Sequence, residues 1–212
     1  MKEGLTELVF IVDRSGSMEG LEAETITGFN AMLREQSAIN GDAFVTTVLF
    51  DDKCELLHDR VNIKSISPLA AEDYTVGGGT ALLDAVGKSI NKIRLAQKHT
   101  AEDFRAERVL FAIITDGMEN ASRKFKVEGI RGRIERLRNK YGWEFIFLGA
   151  NVDAVAEAAK LGISADRAQL YQACVCGTCL AWSAISAASS AFRSGGALDG
   201  WSDVVGECVC DC

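Results

Sequence analysis

Asp13, Ser15 and Ser17 place three oxygen-bearing side chains at alternate positions directly after an apolar run, Leu8 to Val12. Gly16, between the two serines, frees the backbone enough for the three to turn toward one point. Carboxylate, hydroxyl and water oxygens are what Mg²⁺, Mn²⁺ or Ca²⁺ prefer, so the chemistry on offer is capture of a hard divalent cation. Gly77-Gly78-Gly79, ahead of Thr80, lets the backbone approach a ligand closely, and Asp116 opens a polar turn where the apolar run ending Ile113-Ile114-Thr115 stops. Ser, Gly and Asp also build ordinary turns, and Asp116 alone reads as a turn residue.

The cysteines form a second group with chemical potential. Six of the seven fall after residue 173: Cys174, Cys176 and Cys179, then Cys208, Cys210 and Cys212. Their C-x-C and C-x-x-C spacings allow neighbouring thiolates to face one soft ion, Zn²⁺, Cu⁺ or an iron-sulfur cluster. Disulfides between the groups require an oxidising environment or a redox role. Reduced thiols packed as small hydrophobes are the third reading, and the three stay open with connectivity undetermined. Cys54 reads as a plain strand residue, and His58 as an ordinary surface or edge histidine.

These side chains need elements to position them. Leu8 to Val12, Ala43 to Phe50, Val109 to Thr115 and Trp143 to Leu148 read as buried strands, with a last short one over residues 168–172. Helical spacing covers residues 21–38, 81–97, 126–141 and 152–161, and a final helix is predicted from about Leu180 to Phe192. The more polar stretch Cys54 to Val61 follows a short turn, which predicts a hairpin with an antiparallel edge strand. The fold class is therefore α/β, a Rossmann-like, doubly wound, mostly parallel sheet with one antiparallel edge strand. Ligands bind such sheets beyond the carboxyl ends of the strands where the order reverses. With strand order 3-2-1-4-5-6, Asp13 after the first strand and Asp116 after the fourth meet there.

Asp13-Arg14-Ser15-Gly16-Ser17 resembles the D-x-S-x-S signature of von Willebrand factor A (VWA) domains, whose metal-ion-dependent adhesion site (MIDAS) is completed by a distant Thr and a distant Asp. Thr80 and Asp116 match those pieces in the family's order. The resemblance covers about residues 5 to 193 and is closest to stand-alone bacterial and phage VWA proteins. It implies Ser15, Ser17 and Thr80 as direct hydroxyl ligands, with Asp13 and Asp116 bound directly or through water. It also implies one coordination position left to water or to an Asp or Glu of a partner protein. The thiol clusters depart from the family's pattern, and residues 194–212 read as a flexible Gly-containing connection with a Cys-rich tail.

Composition narrows the rest. The chain has 212 residues and a net charge of −7, which argues against non-specific nucleic-acid binding. The basic helix over residues 126–141 lacks interleaved aromatics and reads as a solvated face. No window suggests the roughly 20 apolar residues of a membrane span, and no secretory leader is visible, so a cytoplasmic location is expected. An enzyme is not expected: a Walker loop lacks its Lys-Ser or Lys-Thr, a phosphatase-type second Asp is replaced by Ser15, and no G-x-S-x-G elbow occurs. The expected function is a metal-dependent protein-binding module, with magnesium as the leading ion. The alternative is a thiol-based soft-metal or redox protein that uses this domain for docking.

Overall fold

The computed structural model describes residues 1–207. Its centre is β1 (Lys2–Asp13), whose residues from Leu5 onward are all buried. A strand covered on both faces has to be apolar almost throughout, and alternate residues serve opposite layers. Leu8, Phe10 and Val12 enter one core with Phe29, Leu33, Trp182 and Ile185. Val9 and Ile11 enter the other, with Val86, Ile90, Ile130 and Ile134. Full burial of each such side chain contributes roughly 1.5–3 kcal/mol.

Around it lie β2 (Ala43–Phe50), β3 (Cys54–Asn62), β4 (Ala106–Thr115), β5 (Glu144–Gly149) and β6 (Ala168–Leu170). The order is β3-β2-β1-β4-β5-β6, as the sequence predicts. All pairings are parallel except β2 with β3. Helices α1 (Glu22–Ala38) and α5 (Val175–Arg193) cover one face, while α2 (Leu82–His99), α3 (Val127–Tyr141) and α4 (Ala154–Lys160) cover the other. Close approach of α1 to α5 depends on Gly28, where an added Cβ would sit 2.5 Å from Trp182 Cδ1. α3 stops at Gly142, which takes the left-handed conformation at φ +64°.

Four predictions change. α5 starts at Val175 rather than Leu180, so Cys176 and Cys179 belong to its first turns and Cys174 caps it. At 19 residues and mean hydropathy 1.3, α5 is by length and composition apolar enough to cross a membrane. Gly, Thr and Ser interrupt its larger apolar residues, which disguises the span in the sequence. Here it is a core helix that buries Ala181, Trp182, Ile185 and Ala188.

Residues 194–207 are not a free connection: Leu198, Trp201 and Val205 sink into the same core, and Trp201 Nε1 donates to the Asp166 carbonyl at 3.1 Å. Cys208, Cys210 and Cys212 lie outside the described residues. His58 is buried rather than at the surface, stacked on Phe29 with Nδ1 3.0 Å from Thr47 Oγ1. Burial holds its pKa below the usual histidine range, so it is a satisfied core residue.

Candidate metal centre

Asp13 is the last residue of β1, Asp116 follows β4 immediately, and Thr80 lies two residues ahead of α2. Because β1 and β4 are neighbours at the middle of the sheet, the two strand ends deliver their carboxylates side by side. A 3-10 turn over Gly16–Met18 folds Ser15 and Ser17 back toward them. Thr80 Oγ1 donates to Ser15 Oγ at 3.1 Å, Ser15 Oγ lies 3.2 Å from Ser17 Oγ, and Ser17 Oγ donates to Asp116 Oδ1 at 2.5 Å. Asp13 joins through the Ser15 backbone N–H, which donates to Oδ1 at 2.7 Å. The fold thus brings all five sequence-predicted residues together.

The supporting residues were not singled out in the sequence. Thr115 Oγ1 donates to Asp13 Oδ2 at 2.5 Å, leaving both Asp13 oxygens bonded. Tyr74 donates its phenolic hydrogen to the Asp13 carbonyl. Asn120 Oδ1 accepts from Thr80 N at 2.8 Å while Asn120 N donates to Thr80 O at 3.0 Å, which ties the threonine loop to the loop after β4. Glu119 strengthens that tie by accepting from Leu83 N in the first turn of α2 at 2.8 Å. The glycine loop is fastened to the serine loop by Gly16 N to Gly78 O at 3.1 Å and Gly77 N to Arg14 O at 3.0 Å. Arg14 turns away from the cluster, with Nε 3.0 Å from Asp51 and a terminal nitrogen 2.8 Å from Glu55.

Three observations test whether a hard dication fits. Two oxygens at adjacent vertices of an octahedron with bonds of about 2.1 Å stand about 3.0 Å apart, and the hydroxyl separations of 3.1 and 3.2 Å match that edge. Asp116 Oδ2 is buried without a hydrogen-bond partner, an acceptor whose burial demands a cation, a proton or a water. Gly117 leaves the space open: a Cβ there would sit 2.9 Å from Thr80 Oγ1, 3.1 Å from Ser17 Oγ and 3.8 Å from Ser15 Oγ. The residues present fit the group.

Electrostatics agree with this reading. Burial pushes Asp13 up to about 6, with the Asp116 charge adding to the rise and hydrogen bonds from Thr115 and Ser15 opposing it. Burial also raises Asp116, against the bond from Ser17. Two carboxylates held this way lack positive charge, which a dication would supply. Burial likewise raises the Tyr171 phenol, near enough for Asp116 and Asp13 to add to the effect, and its hydroxyl has no hydrogen-bond partner.

None of the four cysteines among the described residues bonds to a residue of this cluster. Cys174 Sγ accepts from Gly177 N at 3.4 Å as the N-cap of α5, and Cys54 Sγ lies 3.2 Å from Lys88 Nζ. Among the described residues no three His, Cys, Asp or Glu side chains converge.

No protein-family model matches the sequence, and no curated protein matches it. Solved structures do. A von Willebrand factor type A protein from Catenulispora acidiphila superposes with a TM-score of 0.60 at 16% identity, covering 87% of this chain and 42% of that one. Proximal thread matrix protein 1 from the mussel byssus gives 0.56 at 16% identity over 86% and 45%. The same mussel protein with a zinc-occupied MIDAS motif gives 0.50 at 15% identity over 81% and 42%. The chain spans less than half the length of these structures. With its six-stranded sheet and one antiparallel edge strand, the chain has the fold of a von Willebrand factor A domain.

Proposed function

We propose that the chain is a metal-dependent protein-binding module, in which Asp13, Ser15, Ser17, Thr80 and Asp116 hold a hard dication that accepts an Asp or Glu of a partner protein. The observation that carries the reading is the Ser15, Ser17 and Thr80 hydroxyl cluster, spaced like octahedral vertices beside the orphaned Asp116 Oδ2. The mussel protein's zinc-occupied motif supports a divalent ion at such a centre, and magnesium is the ion this oxygen-only set favours. When bound, the dication supplies a Lewis-acid vertex to an external carboxylate. The chain's own residues do the rest. Ser15, Ser17 and Thr80 contribute neutral oxygens, so the site retains attraction for one further anion. Asp13 is locked by Thr115 and the Ser15 N–H, and Asp116 orients Ser17.

The test is affinity capture from cell extract on immobilised protein, in Mg²⁺ and in EDTA, followed by identification of what is captured. Capture should require Mg²⁺, disappear in Thr80→Ala, survive removal of the cysteines, and fail when the partner's acidic residue is neutralised. A partner held equally well in EDTA, or by Thr80→Ala, contradicts the proposal.

A further inference from the structure

A second concave site lies at the opposite end of the sheet, where Ala106 opens β4 and Trp143 precedes β5. A cleft of about 660 Å³ runs between α2 and α3, within the range of roughly 300–1,000 Å³ that small-molecule sites occupy. Its walls carry Arg94, Lys98, Arg105, Arg133, Arg136 and Lys140. Among the described residues none of these six forms an ion pair with a carboxylate. Such a cluster is unexpected in a chain with 30 acidic residues against 23 basic ones. The one acidic residue lining the cleft, Glu107, already accepts from Gly4 N at 2.7 Å.

Two buried donors sharpen the picture. Gln97 lines the cleft at 8% exposure, and its Nε2 has no hydrogen-bond partner. Arg105 Nε, on another lining residue, is buried and unpartnered as well. Arg133 Nη1 donates to Asn91 Oδ1 at 2.6 Å and Arg105 Nη2 to the Thr100 carbonyl at 3.1 Å, both neutral acceptors that leave the charges unbalanced. Buried N–H groups are nearly always satisfied, so unpaired donors beside guanidinium groups without a carboxylate mark a place for acceptor oxygens. The floor is different in kind: Ile90, Leu137 and Trp143, all largely buried, are apolar. An inorganic anion would meet the walls and leave that floor uncovered.

We propose that the cleft binds a nucleoside polyphosphate, its phosphates among Arg94, Lys98, Arg105 and Arg136 and its base or sugar over the Ile90, Leu137 and Trp143 floor. The site is independent of the metal centre, which lies beyond the other ends of the same strands. Arg94 and Arg136 are exposed, so replacing both leaves the core intact.

The experiment is isothermal titration calorimetry in EDTA with ADP, pyrophosphate and adenosine. ADP should saturate in the micromolar range, with pyrophosphate and adenosine each weaker by about tenfold or more. The Arg94→Ala/Arg136→Ala double variant should lose about 100-fold in ADP affinity at unchanged Tm. Gln97→Ala should weaken ADP binding, and Thr80→Ala should not. The inference is overturned if ADP does not saturate below about 1 mM, or if the double variant binds it like the wild type. It is equally overturned if pyrophosphate matches ADP, or if only a single-stranded oligonucleotide binds.

Discussion

Gly117→Ala separates the metal site from the fold. The added Cβ would lie 2.9 Å from Thr80 Oγ1 and 3.1 Å from Ser17 Oγ, against an ordinary contact of 3.4 Å or more. Gly117 does not take a left-handed φ, so alanine fits the backbone and the entire conflict falls on the two hydroxyls. Both are ends of rotatable side chains. They can move aside by a few tenths of an ångström at a stability cost of about 1 kcal/mol. That motion takes them off the octahedral edge, and disturbance of the groups around a metal typically lowers affinity about 10- to 100-fold. Mg²⁺ titration by calorimetry, with urea denaturation in EDTA alongside, reads both quantities. Gly132→Ala is the control, since it lies within α3 with nothing within 4 Å of its Cβ. It should stabilise the chain by roughly 0.5–1 kcal/mol and leave Mg²⁺ affinity unchanged. If Gly117→Ala binds Mg²⁺ as tightly as the wild type, Thr80 and Ser17 are not ligands.

Glu7 sits at 0% exposure, 2.9 Å from Arg60 Nε, and burial pushes its carboxyl from 4.5 up to about 7 despite that neighbour. A folded pKa above the unfolded one favours the protonated fold. This contribution is complete below about pH 4.5 and disappears as pH rises through about 7, an upper bound of about 3 kcal/mol. Glu7→Gln should flatten that slope in urea denaturation between about pH 5 and 8, and an unchanged slope would refute the assignment. Trp201→Ala should cost about 3–5 kcal/mol if residues 194–207 belong to the core, and a loss near zero in the same assay would show they do not. Gly28→Ala drives a Cβ to 2.5 Å from Trp182 Cδ1 and should destabilise by about 1–3 kcal/mol, with a lowered Tm as the readout and an unchanged Tm as the contradiction.

The strands and the cluster residues were legible because their signals are local. An unbroken apolar run such as Leu8 to Val12 has no use except burial on both faces, and Asp13, Ser15 and Ser17 stand within five residues of one another. Thr80 and Asp116 were legible only through the resemblance and the switch-point rule. What escaped depends on contacts between distant segments. Gly117 follows a strand end, where a glycine signals no more than a turn, and its role of leaving room for Ser17 and Thr80 shows only in the folded chain. Glu7 contradicts the apolar pattern of its strand and is rationalised only by Arg60, more than fifty residues away. Cys174, Gly177 and Thr178 are poor helix formers, which hid the start of α5 until its packing against α1 supplied the stabilisation. Leu198, Trp201 and Val205 show no period, and the glycines before them suggested a loose connection. Arg133 and Arg136 read as a solvated face because nothing in the chain order reveals that α2 brings Arg94 and Lys98 beside them.

On the proposed reading, three hydroxyls and two carboxylates enclose one hard dication at the junction of β1 and β4. Crystals soaked in Mn²⁺ and measured for anomalous scattering test it directly. A single strong peak is expected about 2.1–2.2 Å from Ser15 Oγ, Ser17 Oγ and Thr80 Oγ1, absent in Asp116→Ala. A peak elsewhere, or none at that junction in the wild type, contradicts it.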